Sequence, residues 1–145
     1  MYIVKIQKTR ENVEIPKYET NGSVGLDLRA EVENAIEIRP NETVLIGTGI
    51  KLELPQGVGA FIYARSGLAT KQGLVPKNCV GVVDSDYRGE VMVALCNTST
   101  ETQIVQPKDR IAQLVIQRTE QVVLNVVQSL EETQRGDGGF GSTGK

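Results

Sequence analysis

The side chains in this sequence that could act on a phosphorylated ligand sit in separate short segments, and the most distinctive of these is the last. Residues 135–145 read Arg-Gly-Asp-Gly-Gly-Phe-Gly-Ser-Thr-Gly-Lys, with five glycines, one aromatic ring, two hydroxyls and two cations. Glycine loses more backbone entropy on ordering than any other residue, and Phe140 alone offers little to bury, so the segment is expected to order only around a ligand. Glycine amides around Gly141 can wrap phosphate oxygens with no Cβ in the way, Ser142 and Thr143 add hydroxyl donors, Arg135 adds a bidentate cation, and Phe140 can stack on a base. A nucleotide has the charge and the flat ring that such a set would capture. A frayed Gly-rich tail is the plain alternative.

Two other patterns in the same stretch carry little. Gly139 to Lys145 has the glycine and lysine spacing of a phosphate-binding P-loop, but that loop needs a preceding strand, a hydroxyl residue after the lysine and a following helix. Arg135-Gly136-Asp137 spells an adhesion tripeptide, yet no apolar secretory run precedes Lys5 and Lys8.

A second segment, Gly81-Val82-Val83-Asp84-Ser85-Asp86-Tyr87-Arg88-Gly89-Glu90, places carboxylates and a tyrosine at a strand end, ahead of an alternating run from Val91. The pattern is that of a β-hairpin, whose tip exposes backbone groups able to pair with the edge of a base. Asp84 follows two valines and is expected to be partly buried and oriented to take a proton from water. Asp and Ser also build ordinary turns, and residues 86–89 would suit one.

Three further segments are ambiguous on their own. Ala64-Arg65-Ser66-Gly67-Leu68-Ala69 puts an arginine and a serine at a predicted helix start, where free amides favour an anion, although a surface ion pair beside an N-cap serine has the same spelling. Asp27 alternates with Leu26 and Leu28, which suits a solvated strand face or the outer shell of a metal. In Lys108-Asp109-Arg110-Ile111-Ala112-Gln113-Leu114, Asp109 and Arg110 could close a turn and Gln113 could face water.

Composition narrows the chemistry. The sequence has no histidine, which removes the usual general base, the Ser-His triads and most transition-metal ligation, so catalysis would have to run on carboxylates. Carboxylates with phosphates favour Mg²⁺, a hard ion that keeps several waters and takes few protein ligands. Sixteen basic and eighteen acidic side chains are interspersed, with net charge −2, and this argues against long nucleic acid as a partner. Cys79 and Cys96 are the two cysteines, expected as reduced thiols in a cytoplasmic setting with no zinc site. No apolar run approaches a membrane span, so a soluble protein is expected.

These side chains must be positioned by short strands. Apolar residues alternate at Tyr2, Val4, Ile6; Leu26, Leu28, Ala30; Ile36, Ile38; Val44, Ile46; Ile50, Leu52, Leu54; Val91, Val93, Leu95; and from Ile111 to Leu114 and Ile116. Turn chemistry separates them at Asn21-Gly22, Pro40-Asn41, Pro55-Gln56-Gly57, Asn97-Thr98-Ser99 and Gln106-Pro107-Lys108. At 145 residues the chain reads as one all-β domain, a sandwich or barrel. Its one short helix is predicted over residues 66–72, with Ser66 as N-cap and Gly73 as stop. Residues 122–127, Val-Val-Leu-Asn-Val-Val, read as a strand apolar on both faces, either buried in the core or covered by another subunit. A folded domain, residues 1–130, is followed by a Gly-rich arm, residues 131–145, whose first five residues, 131–135, are linker-like.

Taken together and in this order, the five segments strongly resemble the trimeric dUTP pyrophosphatases, over about residues 24–144. Val24 and Ala64 depart from the residues usual at those positions, Ala and Pro, and neither supplies chemistry. The resemblance implies a jelly-roll homotrimer with exchanged C-terminal arms and three active sites, each built from all three chains. It implies hydrolysis of dUTP to dUMP and pyrophosphate with Mg²⁺, which keeps uracil out of DNA and supplies dUMP for dTTP synthesis. Asp84 would activate the water that attacks the α-phosphorus, and Asp27 would hold a water of the Mg²⁺. Arg65, Ser66, Gly67 and Gln113 would contact the phosphates. Asn78 and the backbone of Gly81, Val82, Val83 and Met92 would read the uracil edge, with Tyr87 against the sugar. Arg135, Ser142 and Thr143 would close the arm on the γ-phosphate while Phe140 covers the base, and Gly141 would also bind the substrate.

Two rivals remain. A dCTP deaminase of the same fold would call for a second serine where Gly67 stands. A nonenzymatic regulatory protein would keep the fold and the nucleotide switch and act through protein contacts.

Overall fold

The computed structural model describes residues 2–140, and these form ten strands and one short helix. In chain order they are β1 (Lys5–Lys8), β2 (Leu26–Arg29), β3 (Ile36–Ile38), β4 (Thr43–Glu53), β5 (Val58–Tyr63), α1 (Ser66–Gln72), β6 (Leu74–Pro76), β7 (Gly81–Val83), β8 (Glu90–Asn97), β9 (Gln103–Val105) and β10 (Arg110–Arg118). One four-stranded sheet has the order β1-β4-β8-β6, a second has β2-β10-β5-β7, and β3 and β9 form a two-stranded ribbon. Every pairing is antiparallel.

Alternation of side chains along each strand builds the core. Ile46, Ile50 and Leu52 of β4, Val91, Val93 and Leu95 of β8 and Leu74 of β6 join one buried cluster with Leu28 of β2, Ala60 and Ile62 of β5, Val83 of β7 and Leu114 of β10. The all-β jelly-roll-like expectation is met as an open sandwich, because the sheets do not close into a barrel. Among the described residues no helix is long and apolar enough to cross a membrane.

Two irregularities interrupt the regular pairing. The runs at Val44 and Ile50, which read as separate pieces, belong to the single strand β4, whose register against β8 shifts between Gly47 and Lys51. A second bulge lies between Arg110 and Ala112 on β10. There Ile111 and Ala112 are both buried, as happens when one extra residue interrupts a period of two.

Three sequence expectations are corrected. Residues 81–97 are not a hairpin: β7 pairs with β5, through Ala60, Phe61 and Ile62, while β8 pairs with β4 and β6. Residues 84–89 therefore cross from one sheet to the other. The helix occupies residues 66–72 and stops at Gly73, whose φ of 66° is left-handed, but its N-cap is Arg65, with extended φ and ψ and no side-chain cap bond. Residues 122–127 form no strand and no part of the core, for Val123 and Val126 are each 96% exposed. A segment apolar on both faces needs cover on both, and this chain offers it neither.

Candidate functional site

The first group of candidate side chains is organised by β10, the strand between β2 and β5. Gln113 lies opposite Asp27 on β2 and opposite Tyr63 on β5, and the chain reaches Arg65 two residues after that last strand ends. Arg65 Nε donates to Asp27 Oδ1 at 2.7 Å, and Arg110 Nη1 donates to Asp27 Oδ2 at 3.1 Å. Gln113 Nε2 donates to the Ala64 carbonyl at 2.8 Å. Its side chain lies over Gly25, where a Cβ would sit 2.7 Å from Gln113 Oε1.

The β10 bulge explains how Arg110 enters this group. Arg110 and Gln113 are an odd number of residues apart and in a regular strand would face opposite sides; the extra residue puts both on one side, opposite Arg29 and Asp27. Sequence spacing carries no sign of a bulge, so it does not distinguish Arg110 from a turn residue. Asp109 does close the turn, accepting from the Gln106 amide at 2.8 Å.

Asp27 is 17% exposed and faces two guanidinium groups, so the local charge is positive and suits an anion. A shallow cleft of about 230 Å³ runs beside it, lined by Arg65, Leu68, Gln72, Asp109, Arg110 and Ile111. Ser66 and Gly67, the first residues of α1, are exposed beside Arg65, with open space around Gly67. Among the described residues no three acidic, cysteine or histidine side chains cluster as a metal cage. One carboxylate already holding two cations suits contact with a metal's water rather than with the metal, and a phosphorylated ligand would have to supply the remaining oxygens.

The second group lies around β7, an edge strand whose outer backbone groups have no partner strand. Gly81 and Val83 point inward and Val82 outward. Asp84, just beyond the strand, is exposed, which corrects the expected partial burial. Asn78 is exposed, with its Nδ2 3.4 Å from where a Cβ on Gly81 would sit. Met92 is half-buried on β8 opposite Gly47. Tyr87 is exposed at the ring and donates its hydroxyl to the Glu90 carbonyl at 3.0 Å.

Within one chain Asp84 stands at the end of β7 away from Arg65, although Gly81 pairs with Ile62 next to Tyr63. Val83 pairs with Ala60, five residues before Arg65, which is roughly 17 Å of strand. The arm joins neither group: Arg135 Nε donates to the Gly138 carbonyl at 2.8 Å and Phe140 is fully exposed. Gly141, Ser142 and Thr143 lie outside the described residues.

The fold and the first group define an all-β jelly-roll protein with an arginine-lined, anion-directed cleft. A family model described as dUTPase matches residues 11–144. The deoxyuridine 5′-triphosphate nucleotidohydrolase of Fusobacterium nucleatum is 45% identical over 135 residues, covering 93% of this chain and 92% of that one. The protein of the same name from Desulfitobacterium hafniense is 48% identical over 144 residues, covering 97% and 95%. In the solved structures, the dUTPase of Staphylococcus bacteriophage 80alpha with dUPNHPP has a TM-score of 0.84 at 23% identity, covering 99% of both chains. The chain belongs to the dUTPase family.

Proposed function

We propose that this chain hydrolyses dUTP to dUMP and pyrophosphate in a homotrimer. The observation that carries the reading is the convergence of Asp27, Arg65 and Gln113, from three separate segments, in one cluster at the side of an arginine-lined cleft in a member of this family.

In this reading the free donors of Arg65, the Ser66 hydroxyl, the Gly67 amide and Gln113 hold the phosphates, and Arg110 keeps Asp27 in place. Asp27 would hold Mg²⁺ through one of the ion's waters, and the ion would supply neutralisation of the triphosphate charge. The exposed Asp84 carboxylate takes a proton from water as the oxygen attacks the α-phosphorus; the bond to the bridging oxygen breaks and pyrophosphate leaves. Asn78 and the free edge of Gly81, Val82 and Val83, with Met92 beneath, pair with the uracil edge. A site built around such bonds rejects a mispaired base by about 10⁴. Tyr87 packs against the sugar and leaves no room for a 2′-hydroxyl. Residues 131–145 form the arm, in which Arg135, Gly141, Ser142 and Thr143 close on the γ-phosphate and Phe140 covers the base.

The separation of Asp84 from Arg65 along β5 supports a site completed by more than one copy. The exposed segment 122–127 supports the same assembly. Between β1 and β2 lies an apolar cleft of about 470 Å³, lined by Val4, Ile6, Leu26, Leu52, Leu114 and Ile116 among others. We assign that cleft as the receiver of the segment from a neighbouring copy, which would bury apolar surface on both sides.

The test is pyrophosphate release with Mg²⁺ from dUTP, dTTP, dCTP and UTP in parallel, with Asp84→Asn as control. Release from dUTP alone, lowered by about 10² or more in the variant, is expected. No release from any of them would overturn the reading, and ammonia release from dCTP would replace it with deamination.

A further inference from the structure

The crossing from β7 to β8 holds a contact that sequence spacing does not reveal. The bond from the Tyr87 hydroxyl to the Glu90 carbonyl folds the ring back over its own chain. The ring then occupies the space of any side chain at position 89: a Cβ on Gly89 would come within 2.9 Å of Tyr87 Cε2 and closer still to Cζ and the hydroxyl oxygen. Gly89 does not have a positive φ, so its backbone would accept alanine. The three atoms nearest that Cβ all belong to the tyrosine side chain.

Glu90 is itself pinned. Its Oε1 accepts from the Gly49 amide at 2.7 Å, inside the β4 bulge. The carboxylate lies so close over Gly47 that a Cβ there would sit 2.6 Å from the same oxygen. The buried Thr48 hydroxyl donates to the Val91 carbonyl at 2.6 Å and ties the bulge to β8. The Tyr87 ring thus hangs from a carbonyl whose residue is locked into the neighbouring strand, while the ring itself stays exposed.

We propose that Gly89 and Glu90 are positioning residues for sugar discrimination: together they hold the Tyr87 ring where it admits a deoxyribose and excludes a 2′-hydroxyl. The proposal rests on the proposed packing of Tyr87 against the sugar. An exposed tyrosine without this anchor would exchange among rotamers, and a ring that swings aside leaves room for one more oxygen. Steric exclusion by a phenol requires the phenol to be fixed, and the fixing groups lie two and three residues away.

The experiment is the ratio of kcat/KM for dUTP over UTP, read by pyrophosphate release. It is measured for the wild type, Tyr87→Ala, Tyr87→Phe, Gly89→Ala and the double variant Tyr87→Ala with Gly89→Ala. Tyr87→Ala and Gly89→Ala are each expected to lower the ratio by about tenfold or more, and Tyr87→Phe by a smaller factor. In the Tyr87→Ala background Gly89→Ala should change nothing further, since no ring remains for the new methyl to displace. A merely structural role for Gly89 would lower kcat/KM for both substrates together and persist in the double variant. That result, or an unchanged ratio in Gly89→Ala beside a collapsed one in Tyr87→Ala, overturns the positioning proposal and leaves the role of Tyr87 standing. An unchanged ratio in Tyr87→Ala overturns both. If Gly89→Ala does not fold, Tyr87→Phe decides: a lowered ratio supports the anchor and an unchanged one overturns it.

Discussion

Arg65 Nε and Asp27 Oδ1 lie 2.7 Å apart although 38 residues separate them, so the cation proposed to meet the phosphates is already oriented by a carboxylate. Arg110 completes the arrangement from the other oxygen. The three charges depend on one another, since removing Asp27 leaves two neighbouring cations without their shared counter-charge.

Asp27→Asn should therefore injure both stability and turnover. A loss of about 2 kcal/mol in folding free energy is expected, with kcat/KM for dUTP falling by about tenfold or more. Denaturant titration and steady-state pyrophosphate release measure the two. Arg110→Ala should show the same pair of losses in smaller degree; an Arg110→Ala variant with wild-type kinetics would remove Arg110 from the site.

The apolar segment tests the assembly. Val123→Asp with Val126→Asp places two charges where a neighbouring copy's apolar surface is proposed to receive valines. Light scattering should show monomer, and dUTP hydrolysis should be lost with it. A fully active trimer carrying both aspartates would show that residues 122–127 are not the joining element.

The arm is expected to serve closure rather than assembly. Deleting residues 135–145 should lower kcat/KM by about 10² and leave the trimer intact by light scattering; a monomer would contradict this. Phe140→Ala should weaken the protection that a nonhydrolysable nucleotide gives the arm against protease.

Asn97 provides a stability test away from the site. It is fully buried, and its Nδ2 donates to the Ile38 carbonyl at 2.8 Å and to the Glu101 carbonyl at 2.7 Å, while its Oδ1 accepts from the amide and hydroxyl of Ser99. Asn97→Ala removes all four of these hydrogen bonds and should cost about 3 kcal/mol, seen as a lower urea midpoint. Asn97-Thr98-Ser99 was legible as a turn, but its spelling does not say that the asparagine is the bolt between β3 and β8.

By itself, the sequence determined the all-β class, the strands built on alternating Leu, Ile and Val, the helix over residues 66–72 with its Gly73 stop, and the five segments by which the family is recognised. These are local properties: side-chain period, turn chemistry and motif order survive in one dimension. Strands β5, β6 and β9 escaped because they are short or carry Gly, Ala and Pro, so their pattern is weak until a neighbouring strand supplies the ladder. Which strands pair was also hidden, and the expected hairpin over residues 81–97 failed because the hydrogen-bond partners of β7 lie about twenty residues upstream on β5. Only the tertiary structure decided that Arg110 faces Asp27, because a bulge shifts faces without changing spacing, and that Tyr87 needs Gly89, because the clash exists only once the ring is folded back. The exposure of Asp84 and of residues 122–127 was settled the same way: burial depends on which surfaces the rest of the chain brings near, and alternation or apolarity states only what a segment would prefer.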